Sequence, residues 1–174
     1  MKKIYVYEVK QAYEFDAEML RADKKNSNRS KLIQRDMLML QILNTLPDNL
    51  VISCEGTVYD SYKLNAGSLT ECALKYHMAK GALNEVEKSG GRYDAKRGCV
   101  DVEIKLSVNG SCYNTPIKEK SLVYLVNRDG VYMIKKDDID RVAPKGKLPY
   151  TAWEGANRLN RLSLAMGFTN EEAE

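Results

Sequence analysis

The sequence predicts a mixed α/β fold, because helix-type and strand-type hydrophobic patterns occupy different parts of the chain. Residues 31–46 space their apolar side chains like one face of a helix, and Ser68 with Glu71 forms an S-x-x-E pattern that opens a second helix. Residues 100–107 instead alternate apolar and polar side chains, which is typical of a strand with one buried face. The chain is therefore expected to combine helices with a sheet.

The N-terminal part is predicted to be mainly helical. Residues 4–9 fit either a short strand or the start of a helix. The helix at 31–46 begins after Ser30, a residue type preferred at helix N-caps, and Pro47 ends it. Its apolar face is assigned to Leu32, Ile33, Leu38, Leu40, Ile42 and Leu43.

Strand patterns dominate after the second helix, and one more helix closes the chain. The remaining predicted elements are a strand at 50–54, an antiparallel hairpin at 92–108, a buried strand at 122–126 with its hairpin partner at 131–134, and a last helix at 151–166. The last helix is expected to turn Leu159, Leu162 and Ala165 inward.

Length and composition favour one domain that is neither secreted nor inserted in a membrane. The 174 residues are read as a single domain, 1–174, with an N-terminal helical segment (1–49), an α/β core (50–142) and a C-terminal loop and helix (143–174). No apolar run approaches the ~20 residues of a membrane span, and the N-terminus has no apolar leader. Four dispersed cysteines indicate reduced thiols, so a cytoplasmic protein is expected.

Basic residues are concentrated in two stretches, although the net charge is only +3. Residues 21–35 contain six basic residues and one acidic residue, and a second stretch from Lys135 to Arg161 is diluted by acidic residues. Such clusters either contact a phosphate backbone or form a solvated surface. The candidate nucleic-acid-binding residues are Lys24, Lys25, Arg29, Lys31 and Arg35.

The candidate catalytic residues lie in and beside the alternating strand. A period of two puts Glu103 and Lys105 on one face, and a hairpin brings Asp94 beside Glu103. Asp101 shares that face and either replaces or supplements Asp94. Two carboxylates there would hold Mg²⁺ or Mn²⁺, and the lysine would assist a metal-bound water. The alternative is a solvated strand face with cross-strand pairing.

Asp94 followed by Glu103-Ile104-Lys105 resembles the motif of the PD-(D/E)XK nuclease superfamily, in its restriction-endonuclease-like and Holliday-junction-resolvase-like members. The similarity covers about residues 66–142 and includes a preceding helix that carries Glu71. Tyr93 stands where the family has proline. The resemblance implies an αβββαβ core with a central mixed sheet, flanked here by the N-terminal helical segment and the C-terminal helix.

The same resemblance implies the roles of the site residues. Asp94 and Glu103 would ligate the metal, Lys105 would assist the water, and Glu71 would be an outer or additional ligand. Glu71 is equally well explained as the capping-box partner of Ser68. The implied activity is an endonuclease or exonuclease that acts on DNA rather than RNA.

A second hypothesis is a non-catalytic nucleic-acid-binding or protein-binding protein. It would have a nuclease-like fold without activity, or would be a phage or mobile-element inhibitor of a nucleic-acid-handling complex. A third is a structural subunit of a larger assembly. In the nuclease and structural-subunit hypotheses, the N-terminal helices are the expected interface with nucleic acid, a protein partner or a second copy in a homodimer. Metal binding distinguishes the catalytic hypothesis from the others.

Overall fold

The computed structural model describes residues 3–11, 13, 29–56, 66–79, 85–87, 95–97, 100–108, 112–113, 122–138, 147–148 and 156–169. Both helices and strands occur among them, so the predicted mixed α/β class is confirmed. The chain divides into two compact units, Met1–Gly90 and Gly91–Glu174. The boundary lies inside the predicted core at residues 50–142.

A three-stranded sheet in the order β1-β2-β3 belongs to the first unit. Strand β1 (Lys3–Glu8) runs antiparallel to β2 (Val51–Gly56), and β2 runs parallel to β3 (Glu85–Glu87). The strand alternative for residues 4–9 is therefore correct, and the N-terminal segment begins with a strand rather than a helix. The strand predicted at 50–54 is also confirmed.

Helix α1 (Arg29–Leu43) confirms the helix predicted at 31–46, with a slightly different extent. Its buried side chains include Leu38, Met39, Ile42 and Leu43. The inward assignment of Leu40 is wrong, because this side chain is 41% exposed. At 3.6 residues per turn, successive side chains are about 100° apart, so Leu40 points away from the stripe that contains Leu38 and Ile42.

Helix α2 (Ala66–Met78) packs against α1 in the first unit. It begins at Ala66, so Ser68 lies in its first turn and is not the N-cap that the sequence predicted. Thr70 shows how a polar side chain is accommodated between the two helices. Its buried Oγ1 donates to the Ala66 carbonyl at 2.7 Å and lies 3.8 Å from the Met39 sulfur of α1.

The strands described in the second unit are β4 (Ala95–Arg97), β5 (Val100–Leu106), β6 (Cys112–Tyr113), β7 (Leu122–Val126), β8 (Val131–Lys135), β9 (Lys147–Leu148) and β10 (Asn157–Arg158). Five of them form a mixed sheet in the order β10-β8-β7-β5-β4. Strand β5 runs parallel to β7, and the other neighbouring pairs are antiparallel. A separate two-stranded sheet pairs β6 with β9.

Two predicted hairpins in this sheet are confirmed. Within residues 92–108, β4 pairs antiparallel with β5, and Arg97 is the Cα partner of Val100. The apolar run at 122–126 forms β7, and its residues from Val123 to Val126 are all buried. Strand β8 returns beside it as the predicted partner.

The last helix differs from its prediction at 151–166. Asn157 and Arg158 form β10, and helix α3 (Asn160–Ala165) begins only after them. Local hydrogen bonds hold Arg158 in place: its guanidinium donates to the carbonyls of Asp129 and Thr169 and to Asn160 Oδ1. The buried side chains in this region are Ser163, Met166 and Phe168, whereas the predicted Leu159, Leu162 and Ala165 are only half-buried. Residues 151–155 lie outside the described part.

Gly130 occupies the turn between β7 and β8 with a φ of 153°. A Cβ at this position would lie 2.7 Å from Arg158 Nε and 2.9 Å from Ser163 Oγ. Both neighbours are fixed by hydrogen bonds, since Ser163 Oγ accepts from the Val131 amide at 2.9 Å. We expect Gly130→Ala to lower the free energy of unfolding by about 1–3 kcal/mol, measured by urea denaturation. The helical Gly67→Ala is the control, and an equal loss in both variants would contradict the steric explanation.

Candidate functional site

Strand β5 carries the residues of the candidate active site on one face. Val102 and Ile104 are buried, whereas Asp101, Glu103 and Lys105 are half-buried. Adjacent strand residues point to opposite faces, so the three charged residues share one side of the sheet. The prediction that Glu103 and Lys105 lie on the same face is therefore confirmed.

Glu103 and Lys105 form an ion pair along this face. Lys105 Nζ lies 3.5 Å from Glu103 Oε1, and the two side chains are 20% and 13% exposed, respectively. Their Cα partners on β7 are Leu125 and Val123, which are both buried. Limited solvent and apolar neighbours strengthen the interaction between the charges relative to an exposed pair. The face thus presents a carboxylate and an ammonium group whose relative positions are fixed by the strand.

Asp101 is the second carboxylate on this face for which a position is described. It lies two residues before Glu103, and its Cα partner on β4 is Lys96. Asp94, the other candidate, lies outside the described residues. Whether Asp94 or Asp101 completes the site therefore stays a prediction.

Glu71 lies on α2 in the first unit, whereas Glu103 and Lys105 lie in the second. Its side chain is half-buried in the second turn of the helix. The part of the chain that the structure describes contains no group of three or more His, Cys, Asp or Glu side chains suited to a metal ion. The roles assigned to Glu71 and to the metal stay predictions.

The candidate nucleic-acid-binding residues are described only in part. Lys24 and Lys25 lie outside the described residues, and Arg29 and Lys31 are placed in α1 by their backbone alone. Arg35 is half-buried on the same helix. Phosphate contacts by this group stay a prediction.

The second basic stretch is not uniformly solvated, which the sequence did not reveal. Lys136 is only 4% exposed, although the run Lys135 to Asp138 consists entirely of charged residues. Arg158 supports the turn at Asp129 through its hydrogen bonds. No periodic pattern distinguishes these two basic residues from their exposed neighbours, because both lie at ends of short elements.

His77 is a titratable side chain that the site does not use. Its Nε2 lies 2.9 Å from Thr45 Oγ1, and this hydroxyl donates to the Ile42 carbonyl at 2.6 Å. The hydroxyl oxygen therefore accepts from Nε2, which assigns the neutral ring its proton there. Burial lowers the pKa of His77 below its ordinary value of 6.5.

This lowered pKa predicts a pH dependence of stability. Because the unfolded chain takes up the proton more readily, His77 costs stability as the pH falls below about 6.5, down to its folded pKa. We expect His77→Gln, which keeps a donor to Thr45, to lose less free energy of unfolding than the wild type between pH 7.5 and 5.5. Urea denaturation of both proteins at both pH values measures the difference. Equal losses would show that His77 titrates alike in the folded and unfolded states.

None of the helices among the described residues is long and apolar enough to cross a membrane. Comparison of the chain with family models, with curated proteins and with solved structures finds no match.

Proposed function

We propose that this chain is a metal-dependent nuclease that hydrolyses phosphodiester bonds in DNA. The observation that carries the proposal is the β5 face, where Lys105 Nζ lies 3.5 Å from Glu103 Oε1. Asp101 lies on the same face of the strand. A carboxylate next to an ammonium group, both shielded from much of the solvent, is a suitable arrangement for phosphoryl chemistry without histidine or cysteine.

The donor set on this face fits Mg²⁺ or Mn²⁺. Carboxylate oxygens are the ligands that these ions prefer, and Mg²⁺ commonly uses one or two carboxylates together with waters and substrate oxygens. Glu103 would hold the ion with Asp94 or Asp101. The bound ion would lower the pKa of a coordinated water and offset charge on the phosphate.

The protein groups would act on the substrate and the water as follows. Glu103 and either Asp94 or Asp101 would supply the negative charge that holds the ion. Lys105 would donate hydrogen bonds to the attacking water or to a phosphate oxygen. The water oxygen bonds to phosphorus, the bond to the leaving oxygen breaks, and a proton passes from the water to solvent while another reaches the leaving oxygen. The ammonium is placed to favour the negative charge that develops on the phosphate.

The order of the elements supports the PD-(D/E)XK resemblance. Helix α2 precedes the β4–β5 hairpin, and the buried strand β7 and its partner β8 follow. We propose that β4, β5, β7 and β8 correspond to strands of the αβββαβ core. The basic residues on and before α1, including Arg35, would contact DNA phosphates or, through the same segment, a second copy or a protein partner.

The ion pair also favours a second function, a non-catalytic nucleic-acid-binding or protein-binding protein. Lys105 already compensates part of the Glu103 charge, and the described residues contain no group of three metal-binding side chains. A charged face of this kind can recognise a partner without metal. Metal binding separates the two functions.

The test combines metal binding with cleavage. We expect Mn²⁺ and Mg²⁺ to raise the melting temperature of the purified chain by linkage, and to support cleavage of single-stranded, duplex or branched DNA. RNA is assayed in parallel. Absence of metal-dependent cleavage on all four substrates would contradict the nuclease proposal and favour the binding protein.

A further inference from the structure

Strand β1 lies at an edge of the three-stranded sheet in the first unit. In the order β1-β2-β3, no strand of the described part lies beyond β1. The strand pairs with β2 over its whole length without a bulge, and the Val6 side chain is 65% exposed. Natural edge strands are usually short, bulged, interrupted by proline or charged along their length. Strand β1, with the sequence KIYVYE, has charged residues only at its two ends.

The hydrogen-bond alternation identifies the residues of β1 whose backbone groups face outward. In an antiparallel pair, residues that exchange hydrogen bonds with the neighbouring strand alternate with residues whose amide and carbonyl point away from it. The Val9 amide donates to the Leu50 carbonyl at 2.9 Å, in continuation of the β1–β2 register. The odd-numbered residues therefore pair with β2, and the backbone groups of Ile4, Val6 and Glu8 face the outer edge.

We propose that this outer edge pairs antiparallel with β1 of a second copy of the chain. Two copies related by a two-fold axis use the same surface, so every contact occurs twice. Backbone hydrogen bonds form only between outward-facing residues, so an even-numbered residue must pair with an even-numbered one. In the proposed register, Val6 pairs with Ile4 of the second copy, and Tyr5 lies on the axis opposite Tyr5 of the second copy.

The sequence of the strand is self-complementary in this register. Lys2 directly precedes β1, and Glu8 ends it. The pairing sets each Glu8 opposite Lys2 of the other copy, and it sets the exposed Val6 opposite an apolar residue. The two neighbouring registers that keep the same hydrogen bonds would set Glu8 opposite Ile4, or Val6 opposite Lys2. Charge complementarity therefore favours the proposed register.

This surface is separate from the basic segment before α1, and the pairing does not depend on the proposed nuclease function. Backbone hydrogen bonds between strands supply the attraction in such an interface, and the side chains supply specificity. A six-residue strand buries less area than the ~1,200–2,000 Å² of a standard interface, so the dimer is expected to be weak and to form as the concentration rises.

Sedimentation equilibrium of the full chain, from about 1 μM to about 1 mM, covers the affinities of weak interfaces. We expect the mean mass to rise from that of one chain toward that of two. Val6→Pro removes an amide that β2 does not use, so it should weaken dimerisation at least about tenfold and keep the fold. A wild type that stays monomeric over this range, or a Val6→Pro variant that dimerises equally well, would overturn the proposal.

Charge variants test the register and cover the case in which Val6→Pro fails to fold. Lys2→Glu and Glu8→Lys change the net charge in opposite directions, yet each sets like charges opposite each other twice. Each should weaken the dimer about fivefold or more, and the double variant should return to within about twofold of the wild type. A double variant no tighter than the single variants would contradict the register and the proposal with it.

Amide hydrogen exchange, measured by NMR on the wild type, locates the interface. The amides of Val6 and Glu8 should exchange more slowly at high than at low protein concentration, whereas the Val9 amide should be equally protected at both. A dimer that leaves Val6 unprotected would place the interface elsewhere. Protection of Val6 at every concentration would show that another segment of the same chain covers the edge. Either result would overturn the proposal.

Discussion

Glu103→Gln is expected to abolish metal-dependent cleavage while leaving the fold intact. Glutamine keeps the shape and hydrogen-bonding capacity of glutamate but removes the charge that would hold the cation. We expect the cleavage rate to fall by more than about 10³-fold, which corresponds to about 4 kcal/mol of transition-state stabilisation. A time course of DNA cleavage with Mg²⁺ and with Mn²⁺ measures the rate, and the melting temperature without metal checks the fold.

Three further variants identify the remaining site residues. Lys105→Ala should lower the rate by about 10²-fold without removing metal binding, because the ammonium acts on water or phosphate and not on the cation. Asp94→Asn and Asp101→Asn, compared side by side, show which aspartate completes the metal site. Cleavage that survives Glu103→Gln would place the activity elsewhere or identify a contaminant.

DNA binding should persist in Glu103→Gln, since phosphate contacts are assigned to other residues. Its affinity should fall with rising salt if the N-terminal basic residues contact phosphates.

The second half of the fold was largely predictable because its strands carry strong periodic signals. The alternation through Val102, Ile104 and their polar neighbours fixed both the strand and its buried face, since a shift by one residue would expose every apolar side chain. The apolar run at 122–126 likewise identified β7, which is buried on both faces. The parallel pairing of β5 with β7 has no such local signal, because it depends on how the chain crosses over between them.

Tertiary contacts explain why the last helix was predicted to begin too early. The prediction at 151–166 treated Asn157 and Arg158 as helical, yet hydrogen bonds to the turn at Asp129 and pairing with β8 hold Arg158 extended. Sequence spacing alone cannot include those partners, which lie about thirty residues earlier in the chain.

Part of the candidate site was predictable for the same reason as the strand. A period of two was enough to place Glu103 and Lys105 together, and the 3.5 Å ion pair follows from that placement. Burial of Lys136 was not predictable, because a run of charged residues is normally solvated and only the three-dimensional packing shows which member is enclosed. The position of Lys105 was thus predictable from strand geometry, whereas the burial of Lys136 depends on the packing of the second unit.

Leu38→Asp is expected to destabilise the first unit by more than about 3 kcal/mol. Leu38 is 5% exposed on α1, and an aspartate there would lose apolar contacts and place a charge in an apolar environment. The matched control is Leu40→Asp on the same helix, where the side chain is 41% exposed. We expect that control to cost less than about 1 kcal/mol, because both variants carry the same loss of helix propensity but only one buries the charge. Urea denaturation of the two variants and the wild type measures the difference. Equal losses of free energy of unfolding would contradict the prediction. They would show that both faces of α1 are buried in solution, as they would be if a second chain covered Leu40.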